Sequence, residues 1–161
     1  MGIFYVKHAL GIDYRPLKVY KIRTMIPKAD ELYDGLLITN GLDQFGRIRD
    51  DPRITNIGRI LRTYCLDEVP QILTNFAIGN MKLVGIRPRS EKSWNSYPEG
   101  HKQRALKQRP GLFGVNHLSK KGSFSDLMRL EEQYLDEYEK NPFMTDMKYF
   151  FNIVFENFIK R

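Results

Sequence analysis

The chain has 161 residues, 42% hydrophobic and 28% charged, with 26 lysines and arginines against 19 aspartates and glutamates, a formal net charge of +7. This length suits one domain with a real core, and the charge predicts attraction to phosphates, anionic lipid head groups or nucleic acid without choosing among them. The single cysteine excludes an internal disulfide, and three scattered histidines form no zinc-like cluster.

No apolar run approaches the roughly 18 residues that span a bilayer, and no secretory signal opens the chain. A protein that is soluble or lies on a membrane is expected. There is no repeat, low-complexity tract or Gly/Ser/Pro-rich linker to mark a domain boundary.

Residues 17–24 carry the β-favouring Val19, Tyr20 and Ile22 and predict a short strand. The mixed polar and glycine content of 26–52 suits a mobile region. Ile57, Ile60, Leu61 and Tyr64 then recur at i, i+3, i+4 and i+7, predicting a helix over 57–64 with Arg59 and Arg62 off its apolar face. Val69, Ile72, Leu73 and Phe76 repeat that spacing and predict a second helix over 69–76. The two apolar faces are expected to be buried in one core, with Asp67 and Glu68 at the junction. Cys65 reads as a buried helix residue.

Residues 79–88 predict a turn and a short extended piece, because Pro88 disfavours helix in the residue before it. A third helix is expected over 125–138, with Leu127, Leu130, Tyr134 and Tyr138 on one side. Asn141 and Pro142 then read as the cap and first position of a last helix reaching about residue 159. Its aromatics, Phe143, Tyr149, Phe150, Phe151, Phe155 and Phe158, followed by Lys160 and Arg161, fit either a core helix or one partly inserted at a bilayer interface. The fold class expected from these elements is α+β, a few short strands with several amphipathic helices at a membrane surface.

The pair Asp67 and Glu68 follows a basic segment and opens an apolar one. Read locally, Asp67 is a helix N-cap and Pro70 a first-turn residue. Read with its surroundings, the pair suits chemistry on a phosphate ester. The stretch Asp51-Pro52-Arg53-Ile54-Thr55-Asn56-Ile57-Gly58-Arg59, Leu61-Arg62, Leu66-Asp67-Glu68-Val69-Pro70-Gln71 and Gly79-Asn80-Met81-Lys82-Leu83-Val84-Gly85-Ile86-Arg87-Pro88 resembles the bacterial sugar transferase family. The members of that family are monotopic phosphoglycosyl transferases with a pattern similar to DPRITxxGRxLRxxxLDExPQ followed by GDMSLVGPRP. Val19-Tyr20-Lys21-Ile22-Arg23-Thr24-Met25 looks like its KFRTM segment, and Arg109-Pro110-Gly111-Leu112-Phe113-Gly114 looks like its RPGxxG segment.

The resemblance implies transfer of a sugar phosphate from a nucleotide diphosphate sugar, commonly a UDP-sugar, to polyprenyl phosphate, giving a polyprenyl diphosphate sugar and UMP. This would be the initiating step of glycoconjugate assembly at the cytoplasmic face of the inner membrane. It implies that Asp67 is the nucleophile and passes through a covalent aspartyl intermediate, and that Glu68 helps bind Mg2+. A carboxylate becomes a useful nucleophile when it is oriented and the phosphoryl oxygens are neutralised, and Mg2+ takes one or two carboxylates with water and phosphate. Candidates for the donor's diphosphate are Lys21, Arg23, Arg53, Arg59, Arg62, Arg87 and Arg109.

The chain departs from the pattern in places. Asn80 stands at a usual acid, Ile86 at a usual proline and Lys82 at a common serine; Thr74-Asn75 adds a residue, and Val115 to Lys121 differs from the aromatic-Gln and Ser-Gly-Arg run of many members. These changes bear on donor specificity more than on reaction type, and His117 reads as a surface or helix-flank histidine. The resemblance starts where the family's N-terminal membrane segment would have ended, as expected either for a domain cut from a longer enzyme or for a short protein docking through its basic surface and aromatic last helix. A non-catalytic nucleotide-sugar-binding or assembly partner on the same fold is the alternative function. No nucleic-acid partner is expected, because no helix-turn-helix, zinc or RNA-binding signature is present.

Overall fold

The strand predicted over 17–24 is one half of a hairpin. In the computed structural model, which describes residues 2–41, 48–64, 66–118 and 123–156, β1 (Phe4–Leu10) pairs antiparallel with β2 (Pro16–Ile22). The connection closes through Gly11 N–H donating to Arg15 O at 2.8 Å, with Asp13 and Tyr14 in the left-handed region. The register places Lys7 opposite Val19, Tyr5 opposite Lys21 and Ala9 opposite Leu17. Directly opposed residues and their i+2 neighbours share a face, so one side of the hairpin runs from buried Ala9, Leu17 and Val19 outward to Lys7 and Lys21.

The region expected to be mobile contains a 3-10 turn (Ala29–Leu32) and α1 (Tyr33–Asn40). Next, α2 (Asn56–Thr63) starts where the sequence places it, with Thr55 Oγ1 accepting from Gly58 N–H at 2.9 Å. A Cβ on Gly58 would lie 2.1 Å from Thr24 O, so only glycine lets α2 rest on the end of the hairpin strand.

This close approach overturns the expectation that the apolar faces are buried. Because the glycine side of α2 meets Thr24, Ile57, Ile60 and Tyr64 are turned outward, 72%, 58% and 58% exposed. No α-helix spans 69–76 either: a 3-10 turn (Leu66–Glu68) leads to a wide helical turn (Ile72–Phe76) in which Ala77 N–H donates to Ile72 O at 2.9 Å, the i to i+5 bond of a π-helix. Val69, Ile72 and Leu73 are exposed, whereas Asp67, Gln71 and Asn75, spaced four apart, are buried. The polar stripe of this segment faces inward and the apolar one outward.

The extended piece after Gly79 is β3 (Lys82–Gly85), paired in parallel with β4 (Gly111–Gly114). Between them lie α3 (Glu91–Trp94) and α4 (Glu99–Leu106), two short helices outside the expected elements. A capping box of Ser123 and Asp126 opens α5 (Phe124–Lys140), and Asn141 and Pro142 open α6 (Pro142–Val154) as expected. No helix among the described residues is long and apolar enough to cross a membrane. The reading of Cys65 falls outside the described residues, as do those of Ser119 to Lys121, Phe158, Lys160 and Arg161.

Two apolar clusters share Phe113. Ala9, Leu17, Val19, Met81 and Leu112 form one under the hairpin; Val84, Trp94, Tyr134, Leu135, Tyr149 and Ile153 lead the other, under α5 and α6. On α6, Tyr149 and Ile153 serve this core while Phe143, Phe151 and Phe155 are exposed. The fold is α+β.

Lys82 crosses between these layers. Its Nζ donates to Tyr134 Oη at 2.7 Å, pairs with Asp146 at 3.1 Å and lies 3.4 Å from the centroid of the Tyr138 ring, tying β3 to both long helices.

Candidate active site

Asp67 and Glu68 occupy the turn between α2 and the wide helical turn, against the end of β2. Lys21 Nζ donates to Glu68 Oε1 at 2.6 Å and lies 3.7 Å from Asp67 Oδ2. Arg87, just past β3, pairs with the same Glu68 oxygen, and its Nη1 lies 3.3 Å from His117 Nε2. Asp67 accepts no backbone capping bond among the described residues, so the local N-cap reading does not account for its position. Both acid side chains are nearly withdrawn from solvent, 10% and 12% exposed.

Burial and the neighbouring Arg87 push the Lys21 ammonium down to about 8, against the opposing pull of Asp67. Gly114 makes room for Arg87: a Cβ there would lie 2.1 Å from Asn116 Oδ1 and 2.4 Å from Arg87 Cγ, so a side chain would dislodge the arginine.

The sequence profile of the family described as bacterial sugar transferase matches residues 1–160. The chain belongs to that family. It is 32% identical over 136 residues to the galactosyl transferase CpsE of Streptococcus agalactiae, covering 82% of this chain and 30% of the relative. It is 31% identical over 144 residues to the exopolysaccharide production protein ExoY of Rhizobium meliloti, covering 85% and 63%. It is 29% identical over 158 residues to the UDP-glucose:undecaprenyl-phosphate glucose-1-phosphate transferase of Escherichia coli, covering 94% and 32%. The chain thus spans between about a third and two thirds of the length of these bacterial sugar transferase relatives.

Of the cations singled out in the sequence, the fold brings Lys21 and Arg87 onto the acid pair. Arg62 stands close behind: its Nε donates to Thr24 Oγ1 at 2.9 Å and its charge acts on Lys21. Arg53 is buried elsewhere, donating to both oxygens of Asp51 and, at 3.0 Å, to Ala29 O, where it fastens the segment before α2 to the 3-10 turn at 29–32. Arg23 donates to Gly2 O and Phe4 O at the hairpin's edge. Arg59 and Arg109 are exposed and make no ion pair with either acid among the described residues.

Sequence reasoning passed over two buried amides. Asn75 Nδ2 donates to Lys18 O at 2.9 Å, tying the wide turn to β2, so the extra residue at Thr74-Asn75 has a positional use. Gln71 is 2% exposed, and its Nε2 makes no hydrogen bond among the described residues. The signal that identifies both is the i, i+4, i+8 polar spacing from Asp67.

No group of three or more His, Cys, Asp or Glu side chains suited to a metal gathers among the described residues. The two adjacent carboxylates still fit the hard oxygen donors that Mg2+ takes alongside water and substrate phosphate.

Proposed function

We propose that this chain transfers a sugar phosphate from a UDP-sugar to polyprenyl phosphate, releasing UMP and forming a polyprenyl diphosphate sugar, the first step of glycoconjugate assembly at the cytoplasmic face of the membrane. The observation that carries it is the buried Asp67 carboxylate lying beside Lys21 while Glu68 is clamped between Lys21 and Arg87.

An oxygen of Asp67 attacks the sugar-bearing phosphorus of the donor. The bond from that phosphorus to the bridging oxygen breaks, and UMP leaves with the electron pair. A phosphate oxygen of the polyprenyl acceptor then attacks the same phosphorus and expels the Asp67 carboxylate. Lys21 and Arg87 fix Glu68 in place and oppose the negative charge that gathers on the phosphoryl oxygens. Bound Mg2+, held by Glu68, would supply further neutralisation of the donor's diphosphate.

The outward apolar residues support a membrane surface as the working environment. Ile57, Ile60 and Tyr64 before the acid pair and Val69 and Leu73 after it are exposed on a chain of net charge +7. Apolar side chains lying in the interface of an anionic bilayer, backed by cations, would set Asp67 within reach of a lipid phosphate. The test is chromatography of UMP formed from UDP-sugars with polyprenyl phosphate. Wild-type protein should form UMP, and Asp67→Asn should reduce it by at least about a thousandfold while unfolding at the wild-type temperature; turnover by Asp67→Asn at the wild-type rate would sink the mechanism.

A further inference from the structure

A lysine outside every motif above lies against this site. Lys7 sits opposite Val19 on the inner face of the hairpin, beside Lys21 on the same face. The charged groups that act on it are Lys21, Arg87 and Arg89, all cations. It makes no ion pair with an acid among the described residues. Burying an ammonium without a counter-charge is costly, and its surroundings show the strain: burial first, then those three cations, push it down to about 8.

Arg89, whose charge also acts on Lys7, is by contrast already engaged. Arg89 pairs with Glu131 through Nη2, and its guanidinium lies over the Trp94 and Tyr97 rings, yet the buried Nη1 makes no hydrogen bond among the described residues. Lys7, with no acid partner among the described residues, lies on the hairpin face that carries Lys21, whose ammonium and Arg87 already compensate Glu68; an unmet cation in that position describes a place for an anion.

We propose that Lys7 is a phosphate-binding residue of this site, its ammonium meeting oxygens of the donor's diphosphate beside Lys21 and Arg87. The assignment rests on the transferase reading in naming the diphosphate as the anion. It explains why an uncompensated cation is kept where a neutral side chain would be better for the fold: the missing charge arrives with the substrate. Lys7 is thus a binding residue whose removal should not harm the folded state.

Calorimetric binding of inorganic pyrophosphate, UDP and uridine to the full chain tests this with Lys7→Met, Lys7→Arg and, as control, Lys18→Met on the exposed face of β2. Lys7→Met should weaken pyrophosphate and UDP about tenfold or more, consistent with loss of a charge-assisted bond, and leave uridine unchanged. Lys7→Arg should recover most of the affinity, Lys18→Met should match wild type, and Lys7→Met should unfold at the wild-type temperature or above it. Equal pyrophosphate binding by wild type and Lys7→Met, or binding by neither, overturns the assignment, as does a Lys7→Met protein that unfolds earlier with no rescue by arginine. Lys7-dependent pyrophosphate binding without any UMP from UDP-sugars upholds Lys7 and removes the transferase reading. UMP formation with binding indifferent to Lys7 does the reverse.

Discussion

Lys21 and Glu68, 47 residues apart in the chain, are joined by a 2.6 Å hydrogen bond that locks the end of the hairpin to the acid pair. The same ammonium lies 3.7 Å from Asp67, so one side chain both fixes the turn and sets the field at the proposed nucleophile. Replacing Lys21 with Met should lower kcat/KM for UMP release by about 10²–10³, the usual effect of removing a preorganised electrostatic contact, and Lys21→Arg should restore part of it. Steady-state kinetics on both variants checks this; full activity in Lys21→Met would contradict it.

Glu68 is expected to act through the metal and through position. Glu68→Gln keeps the shape but loses the charge that Lys21 and Arg87 share, so the rate should fall and the Mg2+ concentration needed for half-maximal activity should rise. Titrating Mg2+ against rate measures both. An unchanged metal dependence would remove Glu68 from the metal site.

The Lys82 network predicts a non-additive pair of changes. Lys82→Met leaves Asp146 without its cation and should cost about 3 kcal/mol, whereas Lys82→Met with Asp146→Leu should recover most of that loss, as buried ion pairs often break even against apolar replacements. Urea unfolding of the two single variants and the double supplies the cycle. Additive losses would show that the pair is not coupled.

His101 gives stability a pH dependence. Burial works against its charge, but hydrogen bonds with Glu131 at 3.0 Å and Glu132 at 2.5 Å prevail and raise its pKa above the usual 6.5. A raised folded value means the contribution is complete below the unfolded pKa and is lost as pH rises through the folded one. The melting temperature of wild type should therefore exceed that of His101→Gln most below pH 6.5, and the gap should narrow above it. A gap that widens with pH would contradict the assignment.

The elements most legible in the sequence were those whose signals are local. The apolar spacing from Ile57 to Tyr64 placed α2 to within a residue, and Asn141 with Pro142 placed the start of α6, because both signals are decided within a turn or two. The acid pair was legible for the same reason, through its flanking motif. What misled was the assumption that an apolar stripe faces the core: the stripe Val69, Ile72, Leu73 points outward, and the buried stripe is Asp67, Gln71, Asn75. Periodicity reports that two faces differ, not which one meets the protein; here the contact of Gly58 with Thr24 decides it for α2, and the Asn75 bond to Lys18 O decides it for the turn that follows. Arg53 was misleading in another way, since a motif arginine and one fastened to Asp51 look alike until the partner is seen. Lys7 was invisible because its meaning lies in the strand register and in Arg87 and Arg89, far away in the chain.

The most direct test is the intact mass of the protein after incubation with Mg2+ and each of a panel of UDP-sugars, with no lipid present. The account predicts a mass increase equal to one sugar phosphate, matched by one equivalent of UMP and absent in Asp67→Asn. No adduct and no UMP from the wild-type chain, even after polyprenyl phosphate in a bilayer is supplied, would contradict the covalent mechanism and favour a non-catalytic donor-binding partner.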